Sequence, residues 1–249
     1  IPFQVIDLKK EYNENILDYF KSEYLAGRTP NPCVRCNHRI KFGFLLEKSR
    51  SLGVEFDYFA TGHYARLEKQ SDGRTVLKKA IDLSKDQTYF IHALPKNLLP
   101  QLLFPLGDKT KEDVRKIARK TGLTVAEKTE SQDFISGDYS ELFKGEKVEP
   151  GEIVTETGEV LGSHKGIIHY TIGQRRGLGI SYSEPLYVTK IDAKNNKIIV
   201  GTNEKLFSEG CIANNISLSA VDQISDGMKV KARIRQQHTE APATLYLLE

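Results

Sequence analysis

Near residue 136 the hydrophobic pattern of this 249-residue chain changes period, which rules out one uniform architecture from end to end. Before that point short apolar runs alternate with stretches of helical spacing. Residues 3–7 read as a strand. Residues 13–24 read as an amphipathic helix with Ile16, Leu17 and Phe20 on one face. A second helix is expected from about residue 40 to 52, stopped by Gly53, and residues 58–64 read as a strand running into glycine. Strand–helix–strand order of this kind predicts an open, mostly parallel α/β sheet. Ligands of such sheets lie at the carboxyl ends of strands, where the Thr61-Gly62-His63 turn falls.

Residues 66–133 add a hairpin around Ser71-Asp-Gly-Arg74 and a helix from Thr110 to Gly122, with Thr110 and Asp113 spaced as a capping box. Val114, Ile117 and Ala118 are its expected inner face. The polar run from Ser84 to Phe90 reads equally as a helix start capped by Ser84. Beyond residue 136, strands are expected at 152–155, 167–172, 186–191 and 197–201, with Asn195-Asn196 at a hairpin tip. Many short strands with polar turns predict small β domains, one of them a barrel.

Two cysteines three residues apart lie in Arg28-Thr-Pro-Asn-Pro-Cys-Val-Arg-Cys-Asn-His-Arg-Ile-Lys-Phe42. An ordinary thiol near neutral pH is only a few per cent thiolate. Arg35, His38, Arg39 and Lys41 supply positive charge nearby, and the expected helix start places Cys36 near a positive helix end. Structural zinc, a redox pair and a reactive or cluster-ligating thiol pair all fit a Cys-x-x-Cys spacing. A closed zinc site needs four ligands, and the third cysteine, Cys211, has no partner two residues away.

Composition narrows the class. At 39% hydrophobic and 28% charged, the sequence is that of an ordinary soluble globular protein, without any apolar run of membrane-spanning length. Three cysteines argue for a reducing cytoplasm over a disulfide framework. The net charge of +3 requires any nucleic-acid affinity to come from local clusters. Arg175 and Arg176 sit in the glycine-rich turn Gly173-Gln-Arg-Arg-Gly-Leu-Gly179. In Lys229-Val-Lys-Ala-Arg-Ile-Arg235 strict alternation predicts a strand with Lys229, Lys231, Arg233 and Arg235 on one face. Both ends read as cut: the chain opens in an apparent strand and stops in another, residues 243–249, with no closing partner after it.

Gly27-Arg-Thr-Pro-Asn-Pro-Cys-Val-Arg-Cys-Asn37, Ala60-Thr-Gly-His-Tyr64, Lys85-Asp-Gln-Thr-Tyr-Phe90, Phe104-Pro-Leu-Gly107, Glu130-Ser-Gln-Asp133 and His169-Tyr-Thr-Ile-Gly-Gln-Arg-Arg-Gly-Leu-Gly179 together resemble the bacterial tRNA-specific 2-thiouridylase (tRNA-uridine 2-sulfurtransferase) family. The resemblance runs from residue 1 to about 235. It implies a PP-loop (adenine nucleotide alpha hydrolase-like) α/β nucleotide-binding domain over 1–136, cut at its N-terminus. A central β domain over 137–184 and a C-terminal tRNA-binding β-barrel over 185–249, also cut, would follow.

The implied activity is ATP-dependent 2-thiolation of the wobble uridine in tRNAs for Lys, Glu and Gln, using Mg2+. ATP adenylates the C2 oxygen, cysteine-bound sulfur attacks C2, and a second cysteine helps release it. The resemblance makes Cys36 the nucleophile, Asn31-Pro32-Cys33 the stretch meeting the target base, Gly62 an ATP contact, and His63 and Lys85-Asp86-Gln87 tRNA contacts. The neighbourhood of Arg233 is another, to which the basic features add Lys231, Arg235, Arg175 and Arg176. Many relatives carry Asp where this chain has Cys33. In some members the loop holds a [4Fe–4S] cluster, for which Cys33 and Cys36 would be ligands. A sulfur-donating relay protein and a monomeric, cytoplasmic enzyme without membrane contact are also implied.

Two departures stand out: the family's Ser-Gly-Gly-x-Asp-Ser phosphate loop is not in this sequence, and Asp133 runs straight into Phe134-Ile135 where a second cysteine is expected. The interrupted pattern predicts missing residues between Asp133 and Phe134, a cysteine among them. The alternatives are a non-catalytic tRNA- or iron–sulfur-binding fragment, or a related ATP-dependent tRNA sulfurtransferase acting at another uridine.

Overall fold

The computed structural model describes residues 2–127 and 138–248. The chain divides into two compact units. One comprises Ile1–Asp7, Cys36–Gln132 and Asn214–Glu249; the other comprises Leu8–Arg35 and Asp133–Ala213. The expected insertion point at 133–134 lies outside the described residues.

The first unit carries the parallel element that the sequence predicts. Strand β1 (Phe59–Ala60) pairs in parallel with β4 (Leu102–Leu103), and the Thr61 N–H extends the ladder to the Leu103 carbonyl at 3.1 Å. Between them lies the antiparallel hairpin of β2 (Ala65–Lys69) and β3 (Thr75–Lys79), turned by Gly73 at φ 86°. A short helix follows, α3 (Thr88–Ile91). Phe42, Ala65, Ile91, Leu94, Leu99, Leu102 and Phe104 form one buried cluster. Helix α4 (Lys111–Lys120) carries the expected capping box, with the Asp113 N–H on the Thr110 hydroxyl at 3.2 Å. Its expected inner face is only partly covered: Val114 and Ala118 are half-buried, and Ile117 is 48% exposed.

The C-terminal part of this unit is a two-stranded antiparallel ribbon, β9 (Met228–Ala232) with β10 (Ala241–Leu245). The last strand, β10, pairs with the strand that precedes it. The expected strand at 3–7 is not formed; residues 2–8 have no regular structure, and Phe3 and Val5 are exposed. A strand needs a neighbouring ladder, and no described residue offers one there.

The second unit holds helix α1 and a four-stranded sheet. Helix α1 (residues 9–25) contains a π-helical stretch, Asn13–Leu17, between α-helical turns. Phe20 from this helix meets Phe143 and Ile168. The sheet takes β5 (Gly151–Thr155), β6 (Val160–His164), β7 (Tyr187–Asp192) and β8 (Lys197–Gly201) in the order β6-β5-β8-β7. Strands β5 and β8 are parallel, so one sheet joins residues from both sides of the expected 184/185 domain junction. Ile153, Leu178, Leu186, Val188, Ile198 and Val200 fill its core.

Residues 167–172, expected as a strand, begin instead with a 3-10 turn, Ile167–His169. Gly166 at φ 136° turns the chain there, and consecutive apolar side chains then enter different clusters: Ile167 the sheet core, Ile168 the contact with α1.

Backbone closeness at Gly151 gives a direct check on this sheet. A Cβ there would lie 2.1 Å from the Asn196 carbonyl oxygen and 2.7 Å from His164 Nε2. The His164 ring is fixed, because its Nδ1 accepts the Gly166 N–H at 3.0 Å and its Nε2–H donates to the Asn196 carbonyl at 3.0 Å. Gly151→Ala is expected to lower unfolding free energy by about 1–3 kcal/mol in urea titration. Gly210→Ala, where the added methyl meets nothing within 4 Å, should stay within about 0.5 kcal/mol.

Candidate functional site

The thiols lie on helix α2 (residues 32–51), whose π-helical middle is Asn37–Phe44. Its start differs from the expectation near residue 40. The Asn31 side chain accepts the Val34 N–H at 3.2 Å, as an N-cap does, and Pro32 follows at the first helical position, where its missing N–H costs nothing. The positive helix end therefore lies at Cys33, and Cys36 sits one turn into the helix. Both side chains are half-buried. Arg35 is turned away from any role beside a thiolate: its Nε–H donates to the Asn15 carbonyl at 2.6 Å and its guanidinium lies 4.1 Å from the Tyr19 ring centre. After Cys36, buried Asn37 donates to the Phe90 carbonyl at 3.1 Å.

The loop leading to the helix is held within the second unit. Gly27, at φ 72°, packs so closely on β7 that a Cβ would lie 3.0 Å from Ile191. Arg28 forms a two-pronged ion pair with Glu23 at 2.6 and 2.7 Å. Thr29 meets the Thr171 hydroxyl at 3.4 Å, at the base of the turn that carries Arg175 and Arg176. That turn is pinned by the Gly173 N–H on the Val188 carbonyl at 2.8 Å and by buried Leu178, which leaves both arginines exposed.

Among the described residues no three His, Cys, Asp or Glu are grouped as a metal site requires. Of the ligands a [4Fe–4S] cluster would need, the described residues of this segment bring two thiolates, Cys33 and Cys36. Gly62 fits a nucleotide contact. It follows a parallel strand, and a Cβ there would meet only Leu106, at 3.7 Å, so its backbone is open to close approach.

Asp86 and Gln87, expected to face tRNA, are engaged inside the first unit. Asp86 is 3% exposed and accepts the Ala80 N–H at 3.0 Å, the Thr88 hydroxyl at 2.6 Å and Arg233 Nη2 at 3.1 Å. Gln87 clasps Tyr64 twice: its side chain accepts the Tyr64 N–H and its own N–H donates to the Tyr64 carbonyl, both at 2.9 Å. Lys85 is half-buried, its N–H on the Asp82 carbonyl at 3.0 Å. Ser84 bonds Asp82 and does not cap the helix, which starts at Thr88.

The expected four-residue basic stripe is broken as well. Strand β9 ends at Ala232, Lys229 donates to the Thr244 hydroxyl at 2.8 Å, and Arg233 turns inward to Asp86. Lys231 and Arg235 are exposed. Gln236, which no sequence motif singles out, donates to the Asp86 carbonyl at 2.8 Å. Nothing in its local spacing marks that contact, which closes over 150 residues. The Asn31-Pro32 cap, by contrast, carries a readable helix-start signal.

His63 is buried between the rings of Phe42 and Phe104, with centroids 5.7 and 6.0 Å away, and shares a 2.7 Å hydrogen bond with the Thr61 hydroxyl. Burial, aided by the charge of Lys41, pushes its pKa down to about 4, so at neutral pH it is an uncharged ring and no cation for phosphate. The unfolded chain binds a proton near pH 6.5 and the folded chain only near 4, so stability from this group falls as pH drops through that window. Between pH 7.5 and 4.5 it should account for roughly 2–3 kcal/mol of lost stability. Urea unfolding at both pH values should show a drop smaller by that amount in His63→Asn; an equal drop would place the ring in water.

The chain has counterparts among known proteins. A family model described as the tRNA methyl transferase HUP domain matches residues 1–136, and one described as the tRNA methyl transferase PRC-barrel domain matches residues 142–202. The tRNA-specific 2-thiouridylase MnmA of Lachnoclostridium phytofermentans is 44% identical over 251 residues, which cover 98% of this chain and 70% of that protein. MnmA 2 of Thermoanaerobacter sp. is 48% identical over 252 residues, 98% of this chain and 69% of its own. MnmA of Clostridioides difficile is 42% identical over 253 residues, 99% and 70% respectively. With identity of this level across nearly its whole length, and with a HUP domain followed by a PRC-barrel domain, the chain belongs to the tRNA-specific 2-thiouridylase family.

Proposed function

We propose that this protein transfers sulfur to C2 of a uridine in tRNA, using ATP. The observation that carries the reading is the Asn31-Pro32-Cys33 helix start with Cys36-Asn37 one turn on, in a chain whose relatives are named 2-thiouridylases. The substrate base would be the wobble uridine of tRNAs for Lys, Glu and Gln. ATP, carried with Mg2+, would be the co-substrate at the open backbone of Gly62, and it would adenylate the C2 oxygen with loss of pyrophosphate. Sulfur delivered by a relay protein and held as a persulfide on the second cysteine, the one expected between Asp133 and Phe134, would then attack C2. The C2–O bond breaks and AMP leaves. The Cys36 thiolate would cleave the sulfur–sulfur bond, forming a disulfide and leaving sulfur on the base. A carbonyl oxygen leaves poorly until activated, and a thiolate is a strong nucleophile near neutral pH.

On this reading Asn31, Pro32 and Cys33 meet the base, and Lys85, Lys231, Arg235, Arg175 and Arg176 meet phosphates, all through side chains of the required charge or position. His63 would meet the tRNA as an uncharged ring. A monomer and a cytoplasmic location complete the proposal; among the described residues no helix is long and apolar enough to cross a membrane.

Cys36→Ser decides the central role. In the protein as encoded, the variant should lose 2-thiouridine formation, read by nucleoside mass spectrometry. Its tRNA affinity should stay within about threefold, roughly 0.7 kcal/mol, because a thiol adds little to a salt-dependent polyanion contact. Retained thiolation would refute the role. A methylated nucleoside appearing in its place would favour the transfer that the family model's description names.

A further inference from the structure

We propose that Cys33 is the resolving thiol of the sulfur transfer: it opens the disulfide left on Cys36 and forms a Cys33–Cys36 bridge, which a dithiol reductant then reduces. The inference rests on the reading of the protein as a thiouridylase whose turnover ends with Cys36 in a disulfide. That bond has to be opened before the next turnover, and the reading gives no group this task. Contact with a base does not by itself call for a sulfur atom at position 33.

Helical geometry brings the two side chains together. Pro32–Cys36 is one α-helical stretch, so Cys33 and Cys36, three residues apart, are neighbours on its surface. A rise of about 1.5 Å per residue and a radius of about 2.3 Å put their Cα atoms about 5 Å apart, inside the roughly 4.4–6.8 Å span of disulfides. The Cβ atoms of such a pair are about 5–6 Å apart and have to close by about 1–2 Å. This turn has room to yield. The bond from the Arg35 N–H to the Asn31 carbonyl is 3.4 Å long, beyond the ordinary range for such bonds. Directly after Cys36 the winding changes to π-helical, from Asn37 to Phe44, so no long regular α-helix resists the adjustment. Both cysteines are thiols and half-buried, so neither is sealed from a reductant. Cys33 lies in the first turn, where the backbone N–H groups favour a thiolate.

The step exchanges one disulfide for another. The Cys33 thiol gives its proton to water, and its thiolate attacks the Cys36 sulfur. The bond from Cys36 to the second cysteine breaks, and that cysteine leaves as a thiolate, ready to accept the next sulfur. No electrons are gained or lost. The dithiol reductant then passes two electrons and two protons to the Cys33–Cys36 bridge and is itself left as a disulfide. A thiol one turn away competes well with thiols in solution, because its effective concentration is about millimolar or higher.

Peptide mapping reads the bridge directly. The full-length protein is equilibrated with reduced and oxidised glutathione, blocked with iodoacetamide and cut with trypsin. Cleavage after Arg28, Arg35 and Arg39 leaves the bridge joining peptides 29–35 and 36–39. This linked pair should be the main disulfide form of Cys36. Cys36 bridged to another cysteine, or capped by glutathione while Cys33 stays a thiol, would overturn the proposal. Iron retained by protein purified without oxygen, and lost in Cys33→Ser, would make the pair cluster ligands and overturn it as well.

Turnover supplies the second readout, with tRNA, ATP and glutathione persulfide as the sulfur source. In Cys33→Ser the rate with tRNA in excess should fall about tenfold or more relative to the rate with enzyme in excess, since only repeated turnover needs the exchange. A role limited to the base would lower both rates together, and that result would overturn the resolving role. Absence of 2-thiouridine from the unaltered protein would overturn the functional reading and this role with it, even where the map shows the bridge. Urea titration checks that Cys33→Ser folds, and the map of the unaltered protein stands without it.

Discussion

The Asp86 carboxylate is the constraint on which the first unit depends. Moving a carboxylate out of water costs several kcal/mol, and a partner restores that only when the remaining lone pairs are also satisfied. Here a backbone N–H, a hydroxyl and a guanidinium share the two oxygens. These donors come from β3's end at Ala80, from the start of α3 and from the chain after β9, so one side chain joins parts of the sequence up to 147 residues apart. Around it, Lys79 pairs with Glu240 at 2.6 Å, Arg74 donates to the Ala220 carbonyl at 3.0 Å, and Lys96 pairs with Asp222. These outer contacts lie near the surface, where water screens their charges. The buried seat is the one whose loss the unit would feel.

From that seat a short covalent and hydrogen-bonded route reaches the proposed nucleotide turn. Gln87, next to Asp86, clasps Tyr64, and Tyr64 adjoins His63 and Gly62. Residues that look from the sequence like separate contacts with a nucleic acid are therefore one packed arrangement. In the second unit the loop leading to helix α2 and the Arg175-Arg176 turn likewise share supports, through Gly27 on β7 and Thr29 on Thr171.

Local signals in the sequence were legible where local chemistry decides the outcome. The Thr110–Asp113 capping box, the Gly73 turn, the Asn195-Asn196 hairpin and the parallel strand before Gly62 all lie where spacing and turn residues put them. The failures are tertiary. Alternation over 229–235 reads as a basic strand face, but a buried carboxylate 147 residues away draws Arg233 inward and β9 stops at Ala232. The apolar run at 167–172 has strand composition, yet Gly166 turns it so that neighbours enter two different clusters. At the thiols, the downstream leucines suggest a later helix start than the one the Asn31-Pro32 cap sets. That cap moves the helix end from Cys36 to Cys33. Nothing in the local sequence marks His63 as buried, and that burial keeps it neutral.

The coupling free energy between Asp86 and Arg233 tests this account most directly. It is obtained from urea unfolding of the protein, Asp86→Asn, Arg233→Gln and the double mutant as a thermodynamic cycle. If the pair is the buried seat described, each single variant loses several kcal/mol, because it leaves its partner uncompensated. The double variant should then lose about 1–3 kcal/mol less than the sum of the two. Additive losses within about 0.5 kcal/mol would contradict the account, for they would mean that the two residues stabilise the fold independently.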